Sequence, residues 1–180
     1  MRWPAVGDQF FYAIQPAPEG LAQTFIIGKE FLCGHPSALV LGDNVFYGHD
    51  LSKVLQSTAK RKTGATVFAY AVNDPERYGM VAFDSQGKVV SIQEKPAVPK
   101  SRYAVTGVYF YDEQVVDVAS SIKHPARGEP EITDVNSWYL QRGSLHTIIL
   151  GRGWPGWTLA HMIRCWTRPY SFRRWKNARG

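Results

Sequence analysis

At 180 residues, with 44% hydrophobic and 20% charged residues, the chain has the size and composition of one globular domain. No apolar run is long enough to span a membrane, and Met1–Pro4 does not begin a signal peptide, so a cytoplasmic protein without membrane attachment is expected. The two cysteines are too few for a disulfide framework or a cysteine-based zinc site.

The net charge of +6 is concentrated at one end of the chain. Residues 151–180 contain seven of the 21 basic residues, no acidic residue and four of the six tryptophans. Residues 1–150 therefore carry 14 basic and 15 acidic side chains. A basic, tryptophan-rich segment is compatible with binding to nucleic acid or a membrane surface, and equally with sequence that was never selected as protein. The second interpretation excludes a nucleic-acid or membrane partner.

Apolar runs rich in β-formers alternate with amphipathic stretches along the chain. This order predicts a single α/β domain with a mostly parallel mixed sheet and one hairpin, turning at Asp84–Gly87. The predicted strands are apolar runs with turn-forming residues at their ends: 11–14, 38–41, 65–72, 80–83, 89–92, 103–111 and 144–150. The predicted helices are segments whose apolar residues recur at helical spacing. They are 21–31, a segment that starts at Leu51 and is capped by Asp50, 113–122 and 131–140.

The run Ala38–Leu41 stops at Gly42-Asp43-Asn44. We expect a buried, parallel strand here, and ligands collect at the carboxyl ends of such strands in open α/β sheets. Asp43 is therefore placed to hold Mg²⁺ beside phosphates. The alternative is an ordinary turn, for which glycine, aspartate and asparagine are the usual residues.

Three other segments carry weaker signals. Gly79 allows close approach of a ligand to the backbone, or is a loop glycine. Glu94 and Lys95 end a strand, where consecutive side chains point to opposite faces, so more than a surface ion pair is expected. Arg127–Glu129 precedes a helix and suits either an anion or a helix cap.

Taken together and in order, these segments resemble the family of bacterial glucose-1-phosphate thymidylyltransferases. The resemblance runs from about Phe11 to Gly153, some four-fifths of the chain. The matching segments are Gln15–Gln23, Leu41–Asp50, Asn73–Gly79, Glu94–Pro96, Tyr103–Asp112 and Arg127–Asn136.

The resemblance implies a Rossmann-like nucleotidyltransferase core, a homotetramer and a requirement for Mg²⁺. It implies that glucose 1-phosphate attacks the α-phosphorus of dTTP, giving dTDP-glucose and pyrophosphate for dTDP-rhamnose and O-antigen synthesis. It implies that Gln15 and Gly20 contact thymine and that Asp43 binds the metal. The implied sugar-phosphate residues are Gly79, Glu94, Lys95 and Val105, with Asp43 and Lys95 as the catalytic pair.

Two parts of the family pattern are absent as written: the first strand with its Gly-rich triphosphate loop, and a second metal-binding aspartate. Back-translation offers an explanation for the second. Read from the third base of each codon, Trp157-Thr158 forces aspartate, and its neighbours permit the family's Trp-Leu-Asp-Thr-Gly-Thr-His. We therefore expect an out-of-frame start at 1–10, a partial nucleotidyltransferase domain at 11–153 and an out-of-frame, disordered tail at 154–180.

This organisation predicts a chain that is homologous to an enzyme but inactive as written, because metal neutralisation of the phosphates is incomplete. Two alternatives stay open. One is a non-catalytic remnant that binds a nucleotide sugar. The other is a sister nucleotidyltransferase that uses another sugar or base.

Overall fold

The computed structural model describes residues 11–46, 50–122 and 131–151, together with the backbone of 156–158. The helices are α1 Gln23–Ile27, α2 Lys29–Leu32, α3 Leu51–Ala59, α4 Val115–Ser121 and α5 Ile132–Gln141. The strands are β1 Ser37–Val40, β2 Asn44–Phe46, β3 Ala65–Ala71, β4 Gly79–Phe83, β5 Val89–Glu94, β6 Tyr103–Tyr111, β7 Leu145–Ile149 and β8 Gly156–Thr158. A 3₁₀ turn, Pro75–Arg77, precedes β4.

The central feature is a six-stranded mixed sheet in the order β5-β4-β6-β3-β7, with β1 also paired to β6. Strand β6 is nine residues long; its first residues pair with β4, its last with β1, and β3 follows its other edge. The mixed α/β class is confirmed. Within the described residues, however, only β3 and β7 pair in parallel. The expected parallel direction of β1 is wrong, because β1 meets β6, which runs the opposite way.

Two predicted elements at the start of the chain are also wrong. Phe11–Ile14 forms no strand; Tyr12 is 93% exposed and Ile14 90%, so these side chains have no core to enter. The single helix expected over 21–31 is divided at Gly28 into α1 and α2, and the far end leaves Phe31 exposed. Glycine interrupts helices because its backbone loses more conformational entropy on folding than that of any other residue.

The remaining elements agree closely with the predictions. Asp84 holds the expected hairpin by accepting hydrogen bonds from the backbone N–H groups of Gln86 and Lys88. Helix α3 begins after Asp50, but the Asp50 side chain contacts Lys53 Nζ at 2.7 Å instead of capping the helix. Arg127–Glu129, residues 1–10 and most of the tail lie outside the described residues.

The core between the sheet and helices α1, α4 and α5 contains a buried polar network. Asp112 is 3% exposed and its carboxylate accepts hydrogen bonds from the Gly64 N–H at 2.7 Å and the Tyr139 hydroxyl at 2.7 Å. Tyr111 donates to Asn136 Oδ1 at 2.8 Å. The network joins the start of β3 and the end of β6 to α5. It thereby sets the position of α5, whose first turn reaches the strand ends described below.

The buried tyrosines of this core predict a loss of stability in alkali. Burial raises the pKa of Tyr109, Tyr111 and Tyr139 above the ordinary value of 10.0, and for Tyr139 the bond to Asp112 adds to the effect. The folded chain then binds these protons more tightly than the unfolded chain. The free energy of unfolding should be undiminished below about pH 10 and should fall above it by about 1.4 kcal/mol per pH unit for each tyrosine.

Urea unfolding between pH 8 and pH 11.5 measures this effect. Tyr139→Phe should unfold more easily at pH 8, because the hydroxyl is lost, and should lose stability less steeply in alkali. A wild-type profile that stays flat above pH 10 would contradict the prediction.

Candidate active site

The first part of the site lies at the end of β1, where the chain turns. The Asn44 N–H donates to the Leu41 carbonyl at 3.1 Å, so Gly42 and Asp43 occupy a tight turn and Asp43 is exposed. The Asn44 amide donates to Asp43 Oδ1 at 2.6 Å. Both interpretations of Gly42-Asp43-Asn44 are therefore compatible: the segment is a turn, and it presents a carboxylate at a strand end.

An irregularity in β6 brings this turn onto the sheet. Between the pairs Val67–Tyr109 and Ala69–Val105, β6 contains more residues than β3, which is a β-bulge. The bulge contains Gly107, whose carbonyl accepts from the Leu41 N–H at 2.8 Å. Bulges are common beside active sites, where they redirect the chain.

Position 107 requires glycine because Leu41 and Asn44 lie too close to it for a side chain. A Cβ atom there would lie 2.7 Å from Asn44 Nδ2 and 2.9 Å from Leu41 Cβ, closer than real contacts allow. Gly107→Ala should therefore displace the Asn44 amide and destabilise the fold by about 1–3 kcal/mol. The measurement is urea unfolding together with nucleotide-sugar binding.

Gly42→Ala is the matched control in the same turn, because nothing lies within 4 Å of a Cβ built at Gly42. It should stay within about 0.5 kcal/mol of wild type. Equal effects of the two substitutions would show that the close approach at Gly107 does not matter.

The second part of the site lies where β4, β5 and β6 meet. Gly79 pairs with Glu94 across β4 and β5. Gly79 and Val105 each lie one residue beyond the Met80–Ala104 pair of β4 and β6. The structure thus brings Gly79 at the start of β4 and Glu94 at the end of β5 level with Val105, which lies within β6, two residues from Gly107.

Helix α5 holds the Glu94 carboxylate in this position. The buried Thr133 hydroxyl donates to Glu94 Oε2 at 2.6 Å. The Asp134 carboxylate accepts from the Glu131 N–H at 2.9 Å, as in a capping box, which fixes the start of α5. Glu94 Oε2 also lies over Gly79, 3.1 Å from where a Cβ would be. No signal in the sequence points to Thr133 itself, although it lies in Arg127–Asn136, one of the segments that carry the resemblance.

Lys95 does not follow the strand geometry expected for it. Its φ of 37° is left-handed, so the side chain turns back and Nζ lies 3.6 Å from Glu94 Oε1. The expectation that Glu94 and Lys95 point to opposite faces is therefore wrong. The Lys95 side chain is 63% exposed, and an exposed ion pair stabilises by about 0–1 kcal/mol, so the ammonium can leave Glu94 at little cost.

The third part is the loop before α1. The Gln15 amide donates to the Gly20 carbonyl at 3.2 Å, and Gly20 has a φ of 80°. Gln15 also contacts Gln23, a residue that had no assigned role. Within the part of the chain that the structure describes, no hydrogen bond or ion pair joins this loop to the strand ends. The predicted residues thus form two groups, one at the strand ends and one in this loop.

Carboxylates and an ammonium thus lie near the ends of strands of a mixed α/β sheet, which is where open α/β sheets bind ligands. The family model for nucleotidyl transferases matches residues 4–175. The chain belongs to the nucleotidyl transferase family. The match extends beyond 11–153 at both ends.

Curated relatives agree with this assignment. Glucose-1-phosphate thymidylyltransferases from Xanthomonas campestris pv. campestris and Neisseria meningitidis are 57% and 54% identical over 148 and 147 residues. The enzyme of the same name from Mycolicibacterium smegmatis is 51% identical. Each alignment covers 82% of this chain and 50–51% of the relative. The chain thus spans about half the length of the curated relatives it matches.

Two solved structures are similar in fold. A Bacillus anthracis protein assigned to the glucose-1-phosphate thymidylyltransferases, in complex with a sucrose, has a TM-score of 0.75 and 37% identity, covering 88% of this chain and 64% of that one. A UDP-glucose pyrophosphorylase complexed with UDP-glucose has a TM-score of 0.65 over 82% of this chain and 59% of that one. Its identity of 21% supports the fold alone. Among the described residues, no helix is long and apolar enough to cross a bilayer.

Proposed function

We propose that this site belongs to a glucose-1-phosphate thymidylyltransferase, which converts dTTP and glucose 1-phosphate to dTDP-glucose and pyrophosphate. One observation carries the proposal: the Glu94 carboxylate, held by Thr133, lies level with Val105 across β5, β4 and β6, and Val105 is two residues along β6 from Gly107, against which Asn44 packs next to Asp43. A sugar phosphate and a nucleotide phosphate need such adjacent sites. The relatives at 51–57% identity support the choice of substrates.

The reaction is an in-line displacement at phosphorus. A phosphate oxygen of glucose 1-phosphate forms a bond to the α-phosphorus of dTTP while the bond to pyrophosphate breaks, so catalysis consists of positioning and charge neutralisation. In this proposal Gln15 and Gly20 hold thymine, and Glu94, Gly79 and Val105 hold the glucose. Lys95, leaving Glu94, places its positive charge on the phosphate.

Mg²⁺ would be held by Asp43. Asn44 occupies Asp43 Oδ1, and Oδ2 has no hydrogen-bond partner among the described residues. No cluster of three metal-ligating side chains occurs among those residues either. One carboxylate nevertheless fits Mg²⁺, which takes one or two carboxylates together with phosphates and water. When bound, the ion would neutralise phosphate charge.

The remaining expectations are part of the same proposal. They are a cytoplasmic homotetramer and a place in dTDP-rhamnose and O-antigen synthesis. Size-exclusion chromatography with light scattering would measure the assembly, and a mass other than that of four chains would contradict it.

Calorimetry with the purified 180-residue chain tests the function. We expect saturable binding of dTDP-glucose in the presence of Mg²⁺ and weaker binding of UDP-glucose. Absence of binding to either ligand would contradict the proposal, and preference for UDP-glucose would favour a sister enzyme. Pyrophosphate release from dTTP and glucose 1-phosphate at a rate normal for the family would contradict the expected inactivity of this chain by itself.

We also propose that the reading frame changes near Gly153–Trp154 and within the first ten codons. The aspartate that Trp157-Thr158 forces in the other frame supports the first change; in the frame as written, these positions belong to β8, with Thr158 opposite Asn44, the neighbour of Asp43. The aspartate forced out of frame at Trp157-Thr158 would thus fall beside Asp43. Re-reading the DNA across codons 1–11 and 150–158 tests this, and an unchanged reading in independent clones would contradict a sequencing error.

A further inference from the structure

The loop before α1 contains a directional chain of hydrogen bonds. Gln23 Nε2 donates to Glu19 Oε2 at 2.6 Å, and Gln15 Nε2 donates to Gln23 Oε1 at 2.6 Å. The same Gln15 nitrogen donates to the Gly20 carbonyl at 3.2 Å. Three side chains and one carbonyl therefore act as one unit.

The direction of this chain follows from Glu19. An ionised carboxylate only accepts hydrogen bonds, whereas a glutamine amide can turn either end to a neighbour. Glu19 thus requires the Gln23 NH₂ group, which leaves Gln23 Oε1 for Gln15. Gln15 must then present its own NH₂ group, because two carbonyl oxygens at 2.6 Å would repel each other.

Gly20 reinforces the same orientation. Its φ of 80° is readily adopted by glycine and rarely by other residues, and it directs the carbonyl to Gln15. Both hydrogens of the Gln15 amide are then used within the loop. The remaining hydrogen-bonding capacity of Gln15 is the acceptor Oε1, to which no described residue donates.

We propose that Gln23, anchored by Glu19, is a positioning residue that determines which nucleobase the Gln15 loop accepts. This inference rests on the proposed function, in which Gln15 and Gly20 contact the base. On the proposed function, the Gln15 Oε1 that these bonds leave available accepts the N3–H of thymine or uracil. Cytosine has an acceptor at N3, so its lone pair would face that of Gln15 and cytosine nucleotides are rejected.

Calorimetry of the full chain with dTDP and dCDP tests the inference through the ratio of the two Kd values. Wild type should prefer dTDP by about 30-fold or more, since a site built to accept an N–H rejects the analogue that lacks it. Gln23→Met keeps the length of the side chain but removes both hydrogen bonds. The Gln15 amide then keeps only its 3.2 Å bond to the Gly20 carbonyl, so the ratio should fall about tenfold, to about threefold, which corresponds to the loss of one hydrogen bond.

A double variant separates positioning from general damage. In Glu19→Gln with Gln23→Glu the net charge is unchanged and residue 23 becomes the obligatory acceptor, so Gln15 keeps its orientation. We expect this variant to recover most of the preference for dTDP. If Gln23 had only a structural role, exchanging the carboxylate of residue 19 and the amide of residue 23 would not restore the preference for dTDP.

The outcomes distinguish the inference from the function. Wild type that binds neither nucleotide overturns the proposed function and this inference with it. Wild type that discriminates, with Gln23→Met discriminating equally, overturns the inference alone. Where Gln23→Met does not fold by circular dichroism, Glu19→Gln provides the test; it should lower the ratio, and an unchanged ratio overturns the inference.

Discussion

Glu94→Gln is expected to weaken dTDP-glucose binding by about 10- to 100-fold while leaving dTDP binding within about twofold. On the proposed function, the Glu94 carboxylate accepts hydrogen bonds from glucose hydroxyls, and hydrogen bonds to a charged group contribute about 1.5–3 kcal/mol. Glutamine retains an oxygen for the Thr133 hydroxyl, which donates at 2.6 Å in the wild type. The substitution therefore removes charge while preserving shape, and calorimetry with both ligands separates the sugar contribution from the base.

Glu113→Gln is the matched control, since Glu113 is an exposed acid before α4. It should leave both affinities unchanged. If Glu94→Gln weakened dTDP as much as dTDP-glucose, Glu94 would not be a sugar residue. Thr133→Val should give a smaller loss in the same direction, because it frees the carboxylate without removing it.

Asp112→Ala is expected to lower the free energy of unfolding by about 3–5 kcal/mol, a large share of the stability of one domain. Asp112 is buried and accepts bonds from the Gly64 N–H and the Tyr139 hydroxyl. Alanine leaves both donors without a partner, and each buried unsatisfied group costs about 1–3 kcal/mol. Gly64 cannot move away to compensate, because its carbonyl still accepts from the N–H of residue 112 and the adjacent Ala65 N–H donates to the Ser144 carbonyl.

Urea unfolding measures this effect. Asp112→Asn should cost less, because the amide keeps one acceptor oxygen, although its NH₂ group then faces a donor. Asp74→Asn is the control at an exposed acid and should stay within about 0.5 kcal/mol. A change below about 1 kcal/mol for Asp112→Ala would show that the network contributes little.

The sequence correctly predicted those strands and turns that depend on the types of a few consecutive residues. Tyr103–Tyr111 is the strand that its β-branched and aromatic run indicates, and Asp84–Gly87 is the hairpin turn that its composition indicates. Phe11–Ile14 shows the limit of the same rule. An apolar run forms a strand only where a partner strand and a core exist, and neither is a property of the run.

In the candidate site, too, some residues could be predicted from the sequence and others could not. The order of its segments predicted the candidate residues Gln15, Gly20, Asp43, Gly79, Glu94, Lys95 and Val105. It did not identify Thr133, which is 39 residues from Glu94, because a contact between a helix and a strand end has no local signal. The pairing of Lys95 with Glu94 was mispredicted because a left-handed backbone at a lysine is rare and is imposed by the surrounding chain.

By itself the sequence determined the α/β class and the family, and it predicted the candidate site residues, because each of these depends on residue type and order. Only the tertiary structure decided that β1 runs antiparallel to β6, that Asn44 lies against Gly107, and that Gln15 donates a hydrogen bond to Gln23. These features depend on which distant segments meet, and on where each backbone and side-chain polar group finds its hydrogen-bond partner. The packing of the sheet and helices determines which partner each polar group meets, and that partner fixes the orientation of each candidate site residue.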